Sequence, residues 1–264
     1  MRFNVTDAKI QELLAKEPFT IDNIGRSGSQ VLLFEDKVLK IQPDSTEARN
    51  EIAMLKWLED KLSVPKVLYY TVEQETGYLL MSYVHGKMSC EKEYLMQPQL
   101  LAKVLADGLK ALWSVDISDC PVRSGIDEKL EMARRAVDNH EVDIEDAEPG
   151  TFGEGGFQNP QELLRWLEKN RPTEEPVLSH GDYCLPNILV KENKLSAFID
   201  MGRSGVADKW LDIAICYRSL KHNYDGTYTG EAYEGFQPEL LFEELGLEPD
   251  WEKINYYILL DELF

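Results

Sequence analysis

The run His180-Gly181-Asp182-Tyr183-Cys184-Leu185-Pro186-Asn187, followed by Ile199-Asp200-Met201-Gly202-Arg203, constrains this chain more than any other feature. It sets an Asp, an Asn and a second Asp at spacings used in phosphoryl transfer to a hydroxyl. Such a reaction needs hard oxygen ligands for Mg2+ and one carboxylate that orients the acceptor hydroxyl and takes its proton. Asp182, Asn187 and Asp200 supply groups of those kinds. The residues between them indicate how they meet: Ile188-Leu189-Val190 and Leu195 to Ile199 read as apolar strands joined by the polar turn Lys191-Glu192-Asn193-Lys194. A hairpin centred near Asn193 returns Asp200 to the end that Asn187 occupies. Pro186 keeps the loop after Asp182 out of helical geometry. The plain alternative is a chance tripeptide with Asp200 as a turn residue, and the number of agreeing elements weighs against it.

With 264 residues, 43% of them hydrophobic, the chain can bury a substantial core as one large domain or two lobes. It has no uninterrupted apolar run of about eighteen residues, and Met1-Arg2-Phe3-Asn4-Val5 lacks a signal-peptide core, so a cytoplasmic protein off the membrane is expected. Cys90, Cys120, Cys184 and Cys216 form no CxxC pair, which fits free thiols and no zinc site. Cys184 reads as a small, partly buried thiol. The 48 acidic against 28 basic residues give a net charge of −20, which repels nucleic acid and anionic membranes and favours a cationic partner. Acids concentrate in two stretches. Asp138, Glu141, Asp143, Glu145, Asp146, Glu148 and Glu154 occur without a Lys or Arg between them, and from Asp225 to Phe264 eleven acids face the single base Lys253. Either stretch alone reads as a solvated surface. Beside a phosphoryl-transfer motif, the two together suggest a cationic substrate.

Residues 8 to 16 have the spacing of a short amphipathic helix. Phe19 to Ile24, Gln30 to Phe34 and Lys37 to Ile41 then read as strands of a twisted antiparallel sheet. A helix is expected after the cap candidates Asp44, Ser45 and Thr46, running to about Leu62 with Ala48, Ile52, Leu55 and Leu58 as its stripe. Strands near Lys66 to Thr71 and Gly77 to Ser82 complete the sheet, and Val84-His85-Gly86 reads as a connector. Beyond it, 98 to 115, 126 to 139, 160 to 170, 208 to 222, 238 to 245 and 250 to 263 read as helices, with the pair around the opening motif as the only clear strands. Pro149 to Gly156 is the candidate mobile loop.

Gly25-Arg26-Ser27-Gly28-Ser29 lies between two strands and can bring backbone N–H groups to phosphate oxygens, although a bare hairpin turn has the same composition. Lys40, flanked by Leu39 and Ile41, is costly to bury unless paired, and Glu51 on the next helix is its natural partner. Glycine loop, strand Lys, helix Glu, HGDxxxxN and IDxG together match the protein-kinase inventory, with HGD in place of HRD and DMG in place of DFG. The chain resembles the aminoglycoside phosphotransferases, specifically the 3′-phosphotransferase antibiotic kinases and most of all their type III branch. The matching pieces are LSHGDYCLPNILV at 178–190, FIDMGRSGVADKWLDIA at 198–214, WLEDKLSVPKVL at 57–68, LLMSYVHG at 79–86, SVDISDCP at 114–121 and DWEKINYYILLDELF at 250–264.

The resemblance implies an α+β, bilobal protein-kinase-like fold. Residues 1–83 would form a small nucleotide-binding lobe with an antiparallel sheet and one long helix, and 84–264 a larger, mainly helical catalytic and aminoglycoside-binding lobe. It implies Asp182 as catalytic carboxylate with Arg203 beside it, and Asn187 and Asp200 as Mg2+ ligands. Lys40 would contact the α/β-phosphates, held by Glu51. Gly25, Ser27 and Gly28 would cover the phosphates, while Ser82 and Val84 would receive adenine. The cationic aminoglycoside would lie against Asp143, Glu145, Asp146, Glu148 and Glu154 and against Asp261, Glu262 and Phe264. Cofactors would be ATP and Mg2+. Val38, two before Lys40, departs from an adenine-stacking aromatic, which leaves GTP open as donor, and GTFGEGGF at 150–157 is richer in glycine than the substrate loop of relatives. The expected activity is transfer of the γ-phosphate to the 3′-hydroxyl of kanamycin- or neomycin-type antibiotics, conferring resistance, with no nucleic acid, membrane or obligatory protein partner. The alternatives are a choline- or sugar-type kinase and a non-catalytic cation-binding protein of the same fold. The short interval between Asp200 and Trp210 has no long activation segment, which argues against a protein kinase.

Overall fold

The strand alternation around Lys40 decides where the charged centre lies. In a computed structural model that describes residues 5–22 and 29–264, the first elements are α1 (Ala8–Lys16), β1 (Thr20–Asp22), β2 (Gln30–Leu33), β3 (Lys37–Pro43), α2 (Thr46–Leu58), β4 (Val67–Glu73) and β5 (Thr76–Ser82). The five strands pair antiparallel in the order β1-β2-β3-β5-β4. β5 is covered on both faces, so it reads as the unbroken apolar run Tyr78-Leu79-Leu80-Met81. Tyr78 and Leu80 join Ile10, Leu13, Leu32 and Leu39 under α1, while Leu79 and Met81 pack with Ile52, Leu55 and Leu58 of α2. Strand period two therefore turns Lys40, next to Leu39, toward α2.

Ser45 caps α2, its Oγ accepting the Ala48 N–H at 3.1 Å. The helix stops at Leu58, short of the expected Leu62. The Lys61 and Leu62 N–H groups both return to the Leu58 carbonyl in a turn, and Pro65 disfavours helical geometry at Val64. The strand expected from Phe19 to Ile24 is seen as Thr20–Asp22, with Asn23 and Ile24 outside the described residues.

The remaining elements are β6 (Lys87–Met88), α3 (Lys92–Leu95), α4 (Pro98–Trp113), α5 (Ile126–Asn139), α6 (Pro160–Lys169), β7 (Pro176–Ser179), β8 (Ile188–Lys191), β9 (Lys194–Phe198), β10 (Gly205–Asp208), α7 (Lys209–Tyr224), α8 (Pro238–Leu245) and α9 (Trp251–Asp261). The β8–β9 pair is not alone, as the sequence suggested: β6 extends it and β7 pairs with β10. These added strands are too short to display a period-two pattern. The hairpin itself forms as expected, with Glu192 and Asn193 at φ 52° and 61°, the left-handed pair that a two-residue turn between twisted strands requires. α7 is buried along most of its length and packs against α4, β7, β10 and α9. It is therefore the element on which the loops around the opening motif rest. No helix among the described residues is long and apolar enough to cross a membrane.

Candidate active site

Asp182 and Asn187 are held by a short turn. Leu185–Asn187 forms one 3-10 turn, its Leu185 N–H donating to Ser219 Oγ of α7 at 3.0 Å. Asn187 Nδ2 donates to both the backbone carbonyl and Oδ2 of Asp182, at 3.0 and 2.9 Å. The amide nitrogen is thus spent on Asp182, which leaves its carbonyl oxygen for another partner. The hairpin brings Asp200 alongside, since the Ile199 N–H donates to the Asn187 carbonyl at 3.0 Å. Asp200 itself sits at φ 59°, a left-handed conformation rare for a residue with a side chain and common where geometry serves a site.

Lys40 bridges the sheet to this loop. Its ammonium donates to Glu51 Oε1 and Oε2 at 3.2 and 3.0 Å and to Asp200 Oδ1 at 2.7 Å. The Lys40 and Glu51 side chains are only 9% and 2% exposed, so removing either partner would strand a charge in the interior. Burial alone would lower the proton affinity of Lys40, but Glu51 and Asp200 together override it and keep the ammonium charged. Burial likewise pushes the Glu51 carboxyl up, against the pull of Lys40. For Asp200, burial is outweighed by Lys40, which holds the carboxyl below its ordinary range. Among the described residues its second oxygen accepts no hydrogen bond. One carboxylate oxygen of Asp200 and the amide oxygen of Asn187 are hard donors of the kind Mg2+ takes when it arrives with phosphates and needs only one or two protein ligands. Among the described residues no three His, Cys, Asp or Glu side chains converge as a metal cage.

Asp212, which the sequence reading passed over, fixes the other end of the loop. Fully buried on α7, it accepts the His180 and Gly181 N–H groups at 2.7 and 2.9 Å and Ser179 Oγ at 2.9 Å. Burial raises its carboxyl above the usual range, opposed by His180 and these hydrogen bonds. The glycine of HGD is a steric requirement: Gly181 has φ +80°, and a Cβ there would lie 2.0 Å from the Arg203 carbonyl oxygen. Asn50 is a second missed residue, donating from α2 to the Gly202 and Ser204 carbonyls at 2.6 and 3.0 Å and joining the helix that carries Glu51 to the segment after Asp200. The only signal for either was its place in an otherwise apolar or charged run. Burial pushes the Cys184 thiol well up, with Asp182 adding to it, which leaves a poor nucleophile at neutral pH.

Among the other expected residues, Gly25, Ser27 and Gly28 lie outside the described residues. Ser82 already uses its N–H on the Lys66 carbonyl at 2.9 Å, whereas the Val84 N–H, in the connector, has no protein acceptor among the described residues. The Arg203 side chain reaches Asp261 at 3.6 Å and Glu47 at 3.7 Å. Its charge is favoured by Asp261 first, then Glu47, Asp182 and Asp200, against the cost of burial.

The acidic stretches divide. Asp143, Glu145, Asp146 and Glu154 are exposed, while Glu148, Asp261 and Glu262 are tied into the protein. Arg218 of α7 bonds Asp261 and reaches Glu262 at 3.2 Å. Burial raises the Asp261 carboxyl, but Arg218 and Arg203 outweigh it and hold it below the ordinary range. Phe264 is 38% exposed, with the buried Lys129 ammonium 5.6 Å from its ring centroid. The loop at 149–156 closes on itself, the Phe157 N–H donating to the Thr151 carbonyl at 2.8 Å.

A buried Lys–Glu pair on sheet and helix, meeting a DxG aspartate beside an HGDxxxxN loop, defines a kinase-like phosphotransferase. The chain belongs to the phosphotransferase enzyme family, whose pattern matches residues 20–254. It is 38% identical to an aminoglycoside 3′-phosphotransferase of Niallia circulans over 97% of this chain and 96% of that protein. Identity is 42% to one from Enterococcus faecalis, over 83% of this chain and 79% of the relative. Among solved structures it is similar to an aminoglycoside-3′-phosphotransferase of type VIII, with a TM-score of 0.81, 25% identity and 97% of each chain covered. The α+β kinase-like fold expected from the sequence is therefore the fold of this chain.

Proposed function

We propose that this protein transfers the γ-phosphate of ATP to a hydroxyl of an aminoglycoside, the 3′-hydroxyl of kanamycin- and neomycin-type compounds, and so confers resistance. The observation that carries this reading is the convergence of Lys40, Glu51 and Asp200 beside the Asp182–Asn187 pair. The nucleotide would sit between residues 1–83 and 84–264, its adenine at the Ser82 carbonyl and Val84 N–H. Lys40 would meet the α- and β-phosphates, with GTP also open as donor. Asn187 and Asp200 would hold Mg2+, which, when bound, offsets charge on the phosphates. Asp182, oriented by Asn187, would align the acceptor hydroxyl for in-line attack and take its proton. Buried behind the pair, Asp212 would fix the backbone from Ser179 to Gly181, so that Asp182 needs little rearrangement at the moment of reaction.

The acceptor would lie between the exposed carboxylates of 143–154 and the C-terminal segment. A polyamine there gains Coulomb attraction and charge-assisted hydrogen bonds, which suits a chain of net charge −20. The relatives' shared designation as aminoglycoside 3′-phosphotransferases supports the substrate class and the hydroxyl. Incubating the purified protein with Mg-ATP and kanamycin should release ADP and yield a product heavier by one phosphoryl group. Absence of a phosphorylated product from every aminoglycoside tested would overturn the reading.

A further inference from the structure

Glu148 is the one acidic-loop residue whose carboxylate turns inward. Its side chain is 19% exposed, and its Oε1 accepts a hydrogen bond from Nε2 of His222, an imidazole 6% exposed on α7. The other imidazole nitrogen faces Asp225 at 3.3 Å, and the Tyr228 ring lies 5.1 Å away. Lys221 approaches the second Glu148 oxygen at 3.9 Å. The backbone of the same residue makes a second link: the Glu148 N–H donates to Glu262 Oε2 at 2.9 Å. Glu262 is in turn held by Arg218, one turn of α7 before His222. Three segments far apart in sequence thus close on one point, the acidic loop through Glu148, α7 through Arg218 and His222, and the C-terminal segment through Asp261 and Glu262.

We infer that Glu148 and His222 form a positioning pair that pins the acidic loop against the C-terminal segment, and that Glu148 is therefore not a ligand of the acceptor's amines. Oε1 of Glu148 is committed to a buried imidazole of α7 and Oε2 is turned toward Lys221 of the same helix, so both carboxylate oxygens are directed at α7. Turning the side chain out to a substrate ammonium would cost the buried imidazole nitrogen its acceptor. The neighbouring Asp143, Glu145, Asp146 and Glu154 have no such obligation and stay exposed. The pair sets the distance between those carboxylates and Asp261, and with it the spacing of amino groups that the site accepts. This inference rests on the aminoglycoside-kinase reading for its substrate, but the anchoring itself can be measured without any acceptor.

The test uses the full-length protein with Glu148→Ala, His222→Leu, the double variant and His222→Gln, whose amide can still donate to Glu148. Both single variants should raise the aminoglycoside KM about ten-fold with the ATP KM unchanged, and the double variant should add little, because residues acting as one unit are not additive. His222→Gln should restore most of the loss. Hydrogen exchange should show amides across 141–157 losing protection in His222→Leu. Additive KM effects, or a Glu148→Ala effect far above that of His222→Leu, would make Glu148 a direct substrate ligand and overturn the inference. So would unchanged exchange in His222→Leu. Should the wild type phosphorylate no aminoglycoside, the proposed function fails while the exchange measurement still decides the anchoring.

Discussion

The centre proposed to handle phosphate and the end proposed to take the acceptor are both built from buried charge, yet they are assembled in opposite ways. Around Asp182 and Asp200 the backbone does the placing: a hairpin with two left-handed residues, a glycine that must lie against the Arg203 carbonyl, and a 3-10 turn bring the groups together. Around Asp261 and Glu262 the side chains do it, with Arg218, Arg203, His222 and Glu148 linking four remote segments. The first arrangement suits chemistry that tolerates little displacement of the reacting groups. The second gives an acidic surface whose carboxylate spacing depends on a few ion pairs, so changes there should alter which polyamine fits before they alter the chemical step.

Substitutions sharpen that contrast, beginning with the largest effect. Asp182→Ala should leave the fold intact and lower kcat about a thousand-fold, the share expected of a positioned general base. Near-normal turnover would remove Asp182 from the mechanism. Asp212→Ala should destabilise the protein by about 3 kcal/mol or more, because the His180 N–H and the Ser179 hydroxyl lose their acceptor in the interior and the Gly181 N–H keeps only Ser179 Oγ. Denaturant unfolding gives that figure, and activity should fall along with it. Asp261→Asn should be milder, about 2 kcal/mol for hydrogen bonds to charged groups, and its pH dependence is diagnostic. Asp261 has a lowered folded pKa. Its stabilisation is therefore complete above the unfolded carboxylate value of about 3.9 and drains away as pH falls through the lower folded one. The difference in melting temperature between wild type and Asp261→Asn should hold steady from neutral pH to about pH 5 and narrow progressively below about pH 4. A gap that does not narrow at all as the pH falls below about 4 would assign the effect to packing instead.

The same contrast explains what the sequence could reveal. Asp182, Asn187 and Asp200 lie close along the chain, and the apolar runs between them imply the hairpin that joins them, so their meeting was legible. Lys40 and Glu51 were legible because a lysine flanked by Leu39 and Ile41 demands a partner and the next helix offers one. Asp212 was not, since nothing in Trp210-Leu211-Asp212-Ile213 indicates which loop its carboxylate will face. Glu148 was read with its neighbours as an acid facing the cationic substrate because its partner His222 is remote in sequence and only the packing of α7 brings them together. The short strands β6, β7 and β10 escaped for a related reason: their partners lie elsewhere in the chain, and local pattern carries no record of them.

The central claim concerns the hydroxyl that receives the phosphate. Its most direct test compares kanamycin B with its 3′-deoxy counterpart under Mg-ATP, following ADP release and locating the product phosphate by NMR. Phosphate on the 3′-oxygen of kanamycin B, with no turnover of the deoxy compound, is the predicted result. Equal turnover of both, or a phosphate on any other hydroxyl, would contradict it.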